Sequence, residues 1–129
     1  MLRDPLPVLY TRDLPRALAY YCDTLGFEAG YRFPDDGDPE FAVVRLGDSA
    51  LAFSAAQTPQ ALLGISMGRE PRFELCLFCD DVDSEVARLA AAGAPVLRDA
   101  EDMPWGERVA YVRDPDGNPI QLTQQLDGA

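Results

Sequence analysis

Histidine is missing altogether from the 129 residues of this chain. Without imidazole, every catalytic triad that uses it as base is excluded, and so is every metal site built on His ligands. Any metal would need carboxylates, amides or thiolates. Lysine is missing too, so the 11 basic residues are all arginine and stand against 22 acidic ones, a formal charge of −11. A field of that sign repels phosphate backbones, which argues against nucleic-acid binding, and it attracts cationic ligands. Cysteine is scarce: Cys22, Cys76 and Cys79 are too few for a disulfide framework. Cys76 and Cys79 have C-x-x-C spacing, but residues 73–79 read as a strand. An odd separation puts the two thiols on opposite faces, unable to share one ion or form a redox pair, so they read as ordinary buried or half-buried cysteines. No apolar run approaches the roughly 18 residues of a spanning helix. The opening Met1-Leu2-Arg3-Asp4-Pro5-Leu6-Pro7 lacks the basic region and apolar stretch of a signal peptide. A soluble, cytoplasmic protein without a membrane partner is expected.

What the chain does contain is a repeat. Val8-Leu9-Tyr10-Thr11-Arg12-Asp13-Leu14 and Cys76-Leu77-Phe78-Cys79-Asp80-Asp81-Val82 are both strand-like runs ending in Asp and opening a helix. Asp13 and Asp81 are helix caps, Pro15 sits in a first turn where its missing N–H costs nothing, and Gly26 and Gly93 stop the two helices. Leu14, Ala17, Leu18, Tyr21, Cys22 and Leu25 form one apolar stripe; Val82, Val86, Leu89 and Ala90 form the other. Three strand candidates follow each helix, at about 28–33, 40–46 and 50–55 and again at about 95–98, 107–113 and 119–124. Asp114-Pro115-Asp116-Gly117 is a turn, not a calcium loop, because no twelve-residue ligand pattern follows it. The predicted architecture is α+β: one domain over 1–129, made of two βαβββ modules at about 5–60 and 70–125. One helix covers only one face of a four-stranded sheet, so the other face curves into a cleft that needs a partner or a ligand.

The order and spacing of three segments resemble the glyoxalase / bleomycin resistance protein / extradiol dioxygenase superfamily, also called vicinal oxygen chelate proteins. The segments are Tyr10–Leu14 running into Ala19–Phe27, Cys79–Asp83 with the helix after it, and Pro104–Asn118. The resemblance spans about residues 6–124 and implies paired βαβββ modules with curved mixed sheets, assembled as a homodimer with two clefts. In enzymes of that superfamily four metal ligands come from the first and last strands of each module. Carried onto this chain, those positions fall on Leu6, Ala52, Glu74 and Gln121. Two are aliphatic, so the resemblance implies that the ancestral metal site is lost and that no cofactor is held.

With Glu74 at a ligand position, Cys76 and Phe78 share its face; Leu6, Val8 and Tyr10, then Ala50, Ala52 and Ser54, then Pro119, Gln121 and Thr123 line the same cleft by alternation. The result is a roomy pocket of small and aromatic side chains with one carboxylate and one amide, which suits an apolar ligand with a few polar anchors. Trp105, the sole tryptophan, stands in a Pro-Trp-Gly loop. In the bleomycin resistance type a tryptophan here stacks on the bound drug; the bland alternative is a ring plugging the core edge. Phe33, beside Pro34–Asp38, is a second candidate wall. Either face of strand 107–113, Arg108/Ala110/Val112 or Val109/Tyr111, can meet the cleft.

The leading reading is therefore a drug-binding protein that confers antibiotic resistance by sequestering a small, partly aromatic natural product at the dimer interface, without catalytic residues or metal. Its ligand-binding residues are Trp105, Phe33, Tyr10, Ala52, Glu74, Cys76, Phe78 and Gln121. The alternative is a lyase, isomerase or dioxygenase of the same superfamily, with Glu74 as a desolvated general base or a weak metal ligand. A structural or regulatory domain with a vestigial cleft is the third.

Overall fold

The computed structural model of the chain describes residue 1, residues 3–71 and residues 73–126. Alternation of apolar and polar residues builds two four-stranded sheets, each within its own compact unit, Met1–Arg69 and Glu70–Ala129. The first unit contains β1 (Val8–Thr11), α1 (Leu14–Leu18), β2 (Glu28–Phe33), β3 (Phe41–Leu46), β4 (Ser49–Ala55) and α2 (Gln57–Leu63). The second contains β5 (Leu75–Phe78), α3 (Val82–Ala91), β6 (Val96–Asp102), β7 (Glu107–Arg113) and β8 (Pro119–Gln125). Strand orders are β1-β4-β3-β2 and β5-β8-β7-β6, and in both sheets the first strand runs parallel to the last while the other pairs are antiparallel. The βαβββ unit occurs twice, as the repeat predicts.

The caps act where the sequence places them. Asp13 accepts from the Arg16 N–H at 3.1 Å and Asp81 from the Ser84 N–H at 3.3 Å, so each carboxylate satisfies a backbone donor that the helix leaves orphaned. The first helix departs from expectation beyond Leu18. Ala19–Thr24 widens into π-helical turns, and the Leu25 N–H reaches the carbonyl of Tyr20 five residues back. That widening leaves Tyr21 fully buried, edge-on to Phe27 at 5.7 Å and tilted against Phe53 at 4.7 Å. Leu14, Ala17 and Leu25 complete the buried stripe, with Leu18 and Cys22 at its half-buried margin. Under it lie Leu9, Thr11, Leu51, Phe53, Ala55, Ala42 and Val44. In the second unit Val82 and Leu89 are buried with Ala110, Val112, Ile120 and Leu122; Val86 is half-buried and Ala90, expected in the stripe, is exposed.

Two boundaries differ from the sequence reading. The strand expected at about 95–98 continues to Asp102, its register interrupted by irregularities on either side of Arg98. The helix Gln57–Leu63 is unforeseen; it buries only Pro59 and stops at Gly64, whose φ of 71° is left-handed. No helix among the described residues is long and apolar enough to cross a membrane.

Candidate functional site

Each sheet has one face under its helix and one face free of it, and the registers assign residues to both. In the first sheet Tyr10 pairs with Ser54, Ser54 with Phe41, and Phe41 with Phe33. One step along, Val8 pairs with Ala52 and Ala52 with Val43. Because paired residues share a face, Val8, Tyr10, Phe33, Phe41, Val43, Ala52 and Ser54 all stand opposite the helix. Tyr31 joins them, its ring 6.3 Å from that of Phe41. Tyr31 and Phe33 are 61% and 53% exposed, which is unusual for rings on a regular sheet. Tyr10 is half-buried. Ala52, expected to line the cleft, is instead fully buried: it is flanked in register by the longer Val8 and Val43 and offers no surface of its own. Ser54 is buried as well.

The second sheet is more polar on the corresponding face. Cys76 pairs with Gln121 and Gln121 with Tyr111; Phe78 pairs with Thr123 and Thr123 with Val109. This settles the face of β7: Val109 and Tyr111 stand with Cys76 and Gln121, while Arg108, Ala110 and Val112 turn toward the helix. Arg108 confirms the direction, donating to both carboxylate oxygens of Asp83 on α3 at 2.9 and 3.0 Å and to Asp102 at 3.0 Å. That bond from Arg108 holds the Asp83 carboxyl below its ordinary range, and the two carboxylates push the guanidinium up.

On the free face a short polar chain forms. The Gln121 amide donates to the Thr123 hydroxyl at 2.9 Å, and the Cys76 sulfur lies 3.4 Å from the same oxygen. Burial, then the charges of Glu74 and Cys76, pushes the Tyr111 phenol up, with Arg98 pulling the other way. Arg98 is itself ion-paired with Glu101. Glu74 is exposed, so the desolvation on which a general-base role rests is absent. Cys76 is exposed too, and Phe78 is 70% exposed. Cys79 is half-buried and donates to the Thr123 carbonyl at 3.7 Å, away from Cys76.

Trp105 does not plug the core. It is 60% exposed at the tip of the β6–β7 hairpin, and its indole N–H donates to the Glu107 carboxylate at 2.9 Å. The tip is tied down by the Met103 N–H to the Glu107 carbonyl at 2.7 Å and the Leu126 N–H to the Gly106 carbonyl at 3.1 Å.

The four positions that the resemblance assigns to metal ligands do not make a donor set. Leu6, 42% exposed ahead of β1, and Ala52 carry only carbon, and Glu74 lies two residues back from Cys76, the residue that faces Gln121. Among the described residues no three His, Cys, Asp or Glu side chains come together to hold an ion. Glu107 and Tyr31 were not singled out by the sequence, and Tyr111 stood only as a member of one of the two faces left open for its strand. For Tyr111 the signal was present: the five-residue connection 114–118 pairs Arg113 with Pro119, and counting back two places pairs Tyr111 with Gln121.

Comparison with known proteins follows this geometry. Residues 6–122 match the family described as Glyoxalase/Bleomycin resistance protein/Dioxygenase superfamily. A probable lactoylglutathione lyase of Synechocystis sp. is 30% identical over 120 residues, 87% of each chain. The crystal structure of TioX from Micromonospora sp. ML1 is 26% identical and covers 94% of this chain and 97% of its own, with a TM-score of 0.80. That of a lactoylglutathione lyase from Agrobacterium tumefaciens is 25% identical over 95% and 92%, with a TM-score of 0.73.

Proposed function

Since the chain belongs to the glyoxalase/bleomycin resistance protein/dioxygenase superfamily, we propose that it is a metal-independent binding protein that sequesters a small, partly aromatic natural product. It acts in the cytoplasm as a homodimer, and the helix-free sheet faces supply the clefts. One observation carries the reading: sheet faces that no helix covers bear exposed rings, Tyr31 and Phe33 on one sheet and Phe78 on the other. Exposed rings on an uncovered sheet face are the kind of surface from which a binding or association site is built. The chemistry of the donor positions supports metal independence, because a Glu and a Gln alone hold a divalent ion weakly. A ligand held by burial and stacking lowers free drug by mass action and needs no catalytic group.

A second reading, lactoylglutathione lyase activity, has in its favour the Synechocystis relative at 30% identity. Against it stand Leu6 and Ala52 at the inferred ligand positions. The test joins both. Purified protein treated with a chelator is screened by thermal denaturation against aromatic natural products, and assayed for lyase activity with zinc and with nickel. A ligand present at a hundred times its Kd adds about 2.7 kcal/mol to stability. Stabilisation by an aromatic compound in chelator, with no lyase turnover, is the expected result. Metal-dependent turnover would overturn it.

A further inference from the structure

At the carboxyl ends of the parallel strands β5 and β8 lies a cavity of about 600 Å³, lined by Phe78, Cys79, Asp80, Thr123, Gln124 and Gln125. That is the size of a small-molecule site. Among the described residues its lining holds an aromatic ring, a carboxylate and two amides, and no basic side chain. The back of the cavity is fixed: the Gln124 side chain accepts the Val82 N–H at 2.9 Å, and the Cys79 N–H donates to the Thr123 carbonyl at 2.9 Å.

The Trp105 hairpin tip stands at the same end of the same sheet. Gln125, which lines the cavity, is the register partner of Glu107, and Leu126 is hydrogen-bonded to Gly106. Glu107 therefore flanks Gln125 on one side and Asp80 follows the strand on its other side, so the backbones of the two residues stand on the order of 10 Å apart across three strands. Glu107 grips the indole by its N–H, so the ring is oriented by a negative charge at its edge, and Trp105 as a whole is 60% exposed. Phe78 offers a second open ring. We propose that this end of the second sheet is a subsite for an organic cation, a protonated or quaternary amine carried by the ligand, received between the rings of Phe78 and Trp105 and the carboxylates of Asp80 and Glu107.

The proposal rests on the ligand-binding reading above and adds the charge of the ligand to it. The rings and the carboxylates favour the same charge, and the guanidinium of Arg108, the register partner of Gln124, is taken up by Asp83 and Asp102. Aromatic faces attract cations through their quadrupole, carboxylates attract them by charge, and amides donate or accept without penalty. An anion meets repulsion from the rings and carboxylates alike. Burial first, then the charge of Glu85 and more weakly those of Asp80 and Asp81, push the Cys79 thiol up, with a hydrogen bond at the Asp81 backbone pulling the other way.

The test uses three probes of one size and different charge: benzyltrimethylammonium, benzyl alcohol and benzoate. Each is titrated into the full chain, read by the emission of Trp105 and by amide chemical shifts of residues 78–80 and 123–125. Expected is tighter binding of the cation than of the alcohol, no binding of benzoate, and weakening by salt. Glu107→Gln keeps an oxygen for the indole N–H and removes only the charge; Asp80→Asn does the same at the cavity. Each weakens the cation by about two- to fivefold and leaves the alcohol unchanged. Asp99→Asn, which removes a charge from the far edge strand β6, leaves all three unchanged. Equal binding of cation and alcohol overturns the cation subsite while leaving the ligand-binding reading intact. So does a loss with Asp99→Asn as large as with Asp80→Asn. Absence of any probe response overturns the subsite, and the broader reading falls only if the natural-product screen is also silent.

Discussion

Replacing Asp114 tests whether the turn between β7 and β8 sets the candidate site. Its carboxylate is 1% exposed and fully engaged. One oxygen accepts the N–H groups of Asp116 at 2.9 Å and Asn118 at 2.8 Å, and the other accepts the Asn118 side-chain amide at 2.9 Å. The main chain closes the same loop, with the Asp114 N–H on the Asn118 carbonyl and the Gly117 N–H on the Asp114 carbonyl, both at 3.0 Å. Asp114→Ala removes three accepted bonds at about 1 kcal/mol each and strands two backbone donors. The expected loss is about 3–4 kcal/mol. For a chain of this length that corresponds to a fall in Tm of roughly 10–15 °C. Asp114→Asn keeps the oxygen for the backbone pair and opposes one amide donor to another, and about 1–2 kcal/mol is lost. Urea unfolding by fluorescence gives both values, with the slope unchanged if only stability is altered. Calcium and chelator leave the wild-type midpoint where it is, because the carboxylate's partners are donors of its own loop. Asp114→Ala within about 1 kcal/mol of wild type would refute the reasoning, as would a calcium-dependent midpoint.

Tyr21→Ala should cost about 3–5 kcal/mol, since the ring is fully buried against Phe27 and Phe53, and urea unfolding measures it. A loss below about 1 kcal/mol would mean that the π-helical turns collapse onto the vacancy. Gly30→Ala should cost about 1–3 kcal/mol, because its new methyl would meet the Val43 carbonyl oxygen at 3.0 Å. A neutral result would show that β2 shifts freely. Arg108→Gln has a pH signature. The Asp83 carboxyl is held below its ordinary 3.8 by Arg108, so its contribution is present above that value and fades as pH falls through the folded one. The stability gap between wild type and Arg108→Gln, followed by urea unfolding from pH 6 downward, should therefore narrow only below about pH 3.8. A gap independent of pH would assign the loss to packing of the arginine stem.

The parts of the fold legible in the sequence are those controlled by short-range chemistry. Asp13 and Asp81 cap because a side-chain oxygen three residues before an orphaned N–H has one good place to go. Gly26 and Gly93 adopt φ of 95° and 92°, which other residues avoid. The helix Gln57–Leu63 escaped because it has no side-chain cap, and Leu62 and Leu63 are 77% and 66% exposed, so no stripe marks a buried side. The π-helical turns at 19–24 escaped because packing of Tyr21 into the sheet, a tertiary effect, selects them over a regular helix. At the site, alternation assigned Tyr10, Cys76, Phe78 and Gln121 to a face, and Phe33 was chosen by its place beside Pro34–Asp38. Depth was another matter: Ala52 is on the expected face yet buried, because depth depends on the size of register neighbours that alternation does not reveal. Trp105 was visible as a lone indole, whereas its carboxylate partner Glu107 emerges only from the geometry of the hairpin tip.

The two sheets share strand order and parallel closing pairs, yet their free faces differ in chemistry. On the first, the register partners are aliphatic and aromatic apart from the buried Ser54: Val8, Ala52 and Val43 in one row, Tyr10, Ser54, Phe41 and Phe33 in the next. On the second the rows are Cys76, Gln121 and Tyr111, then Phe78, Thr123 and Val109, with Glu74 and the Arg98–Glu101 pair alongside. A face of the first kind contributes through buried area, at about 25 cal/mol per Å², and is indifferent to ligand orientation. A face of the second kind adds little area, but each donor and acceptor must be matched or left unpaired at a cost. Under the binding function proposed above, affinity and discrimination fall to different residues of one repeated scaffold. Leu6 and Ala52 carry only carbon, so on that reading discrimination falls to the polar second sheet and the Trp105–Glu107 tip.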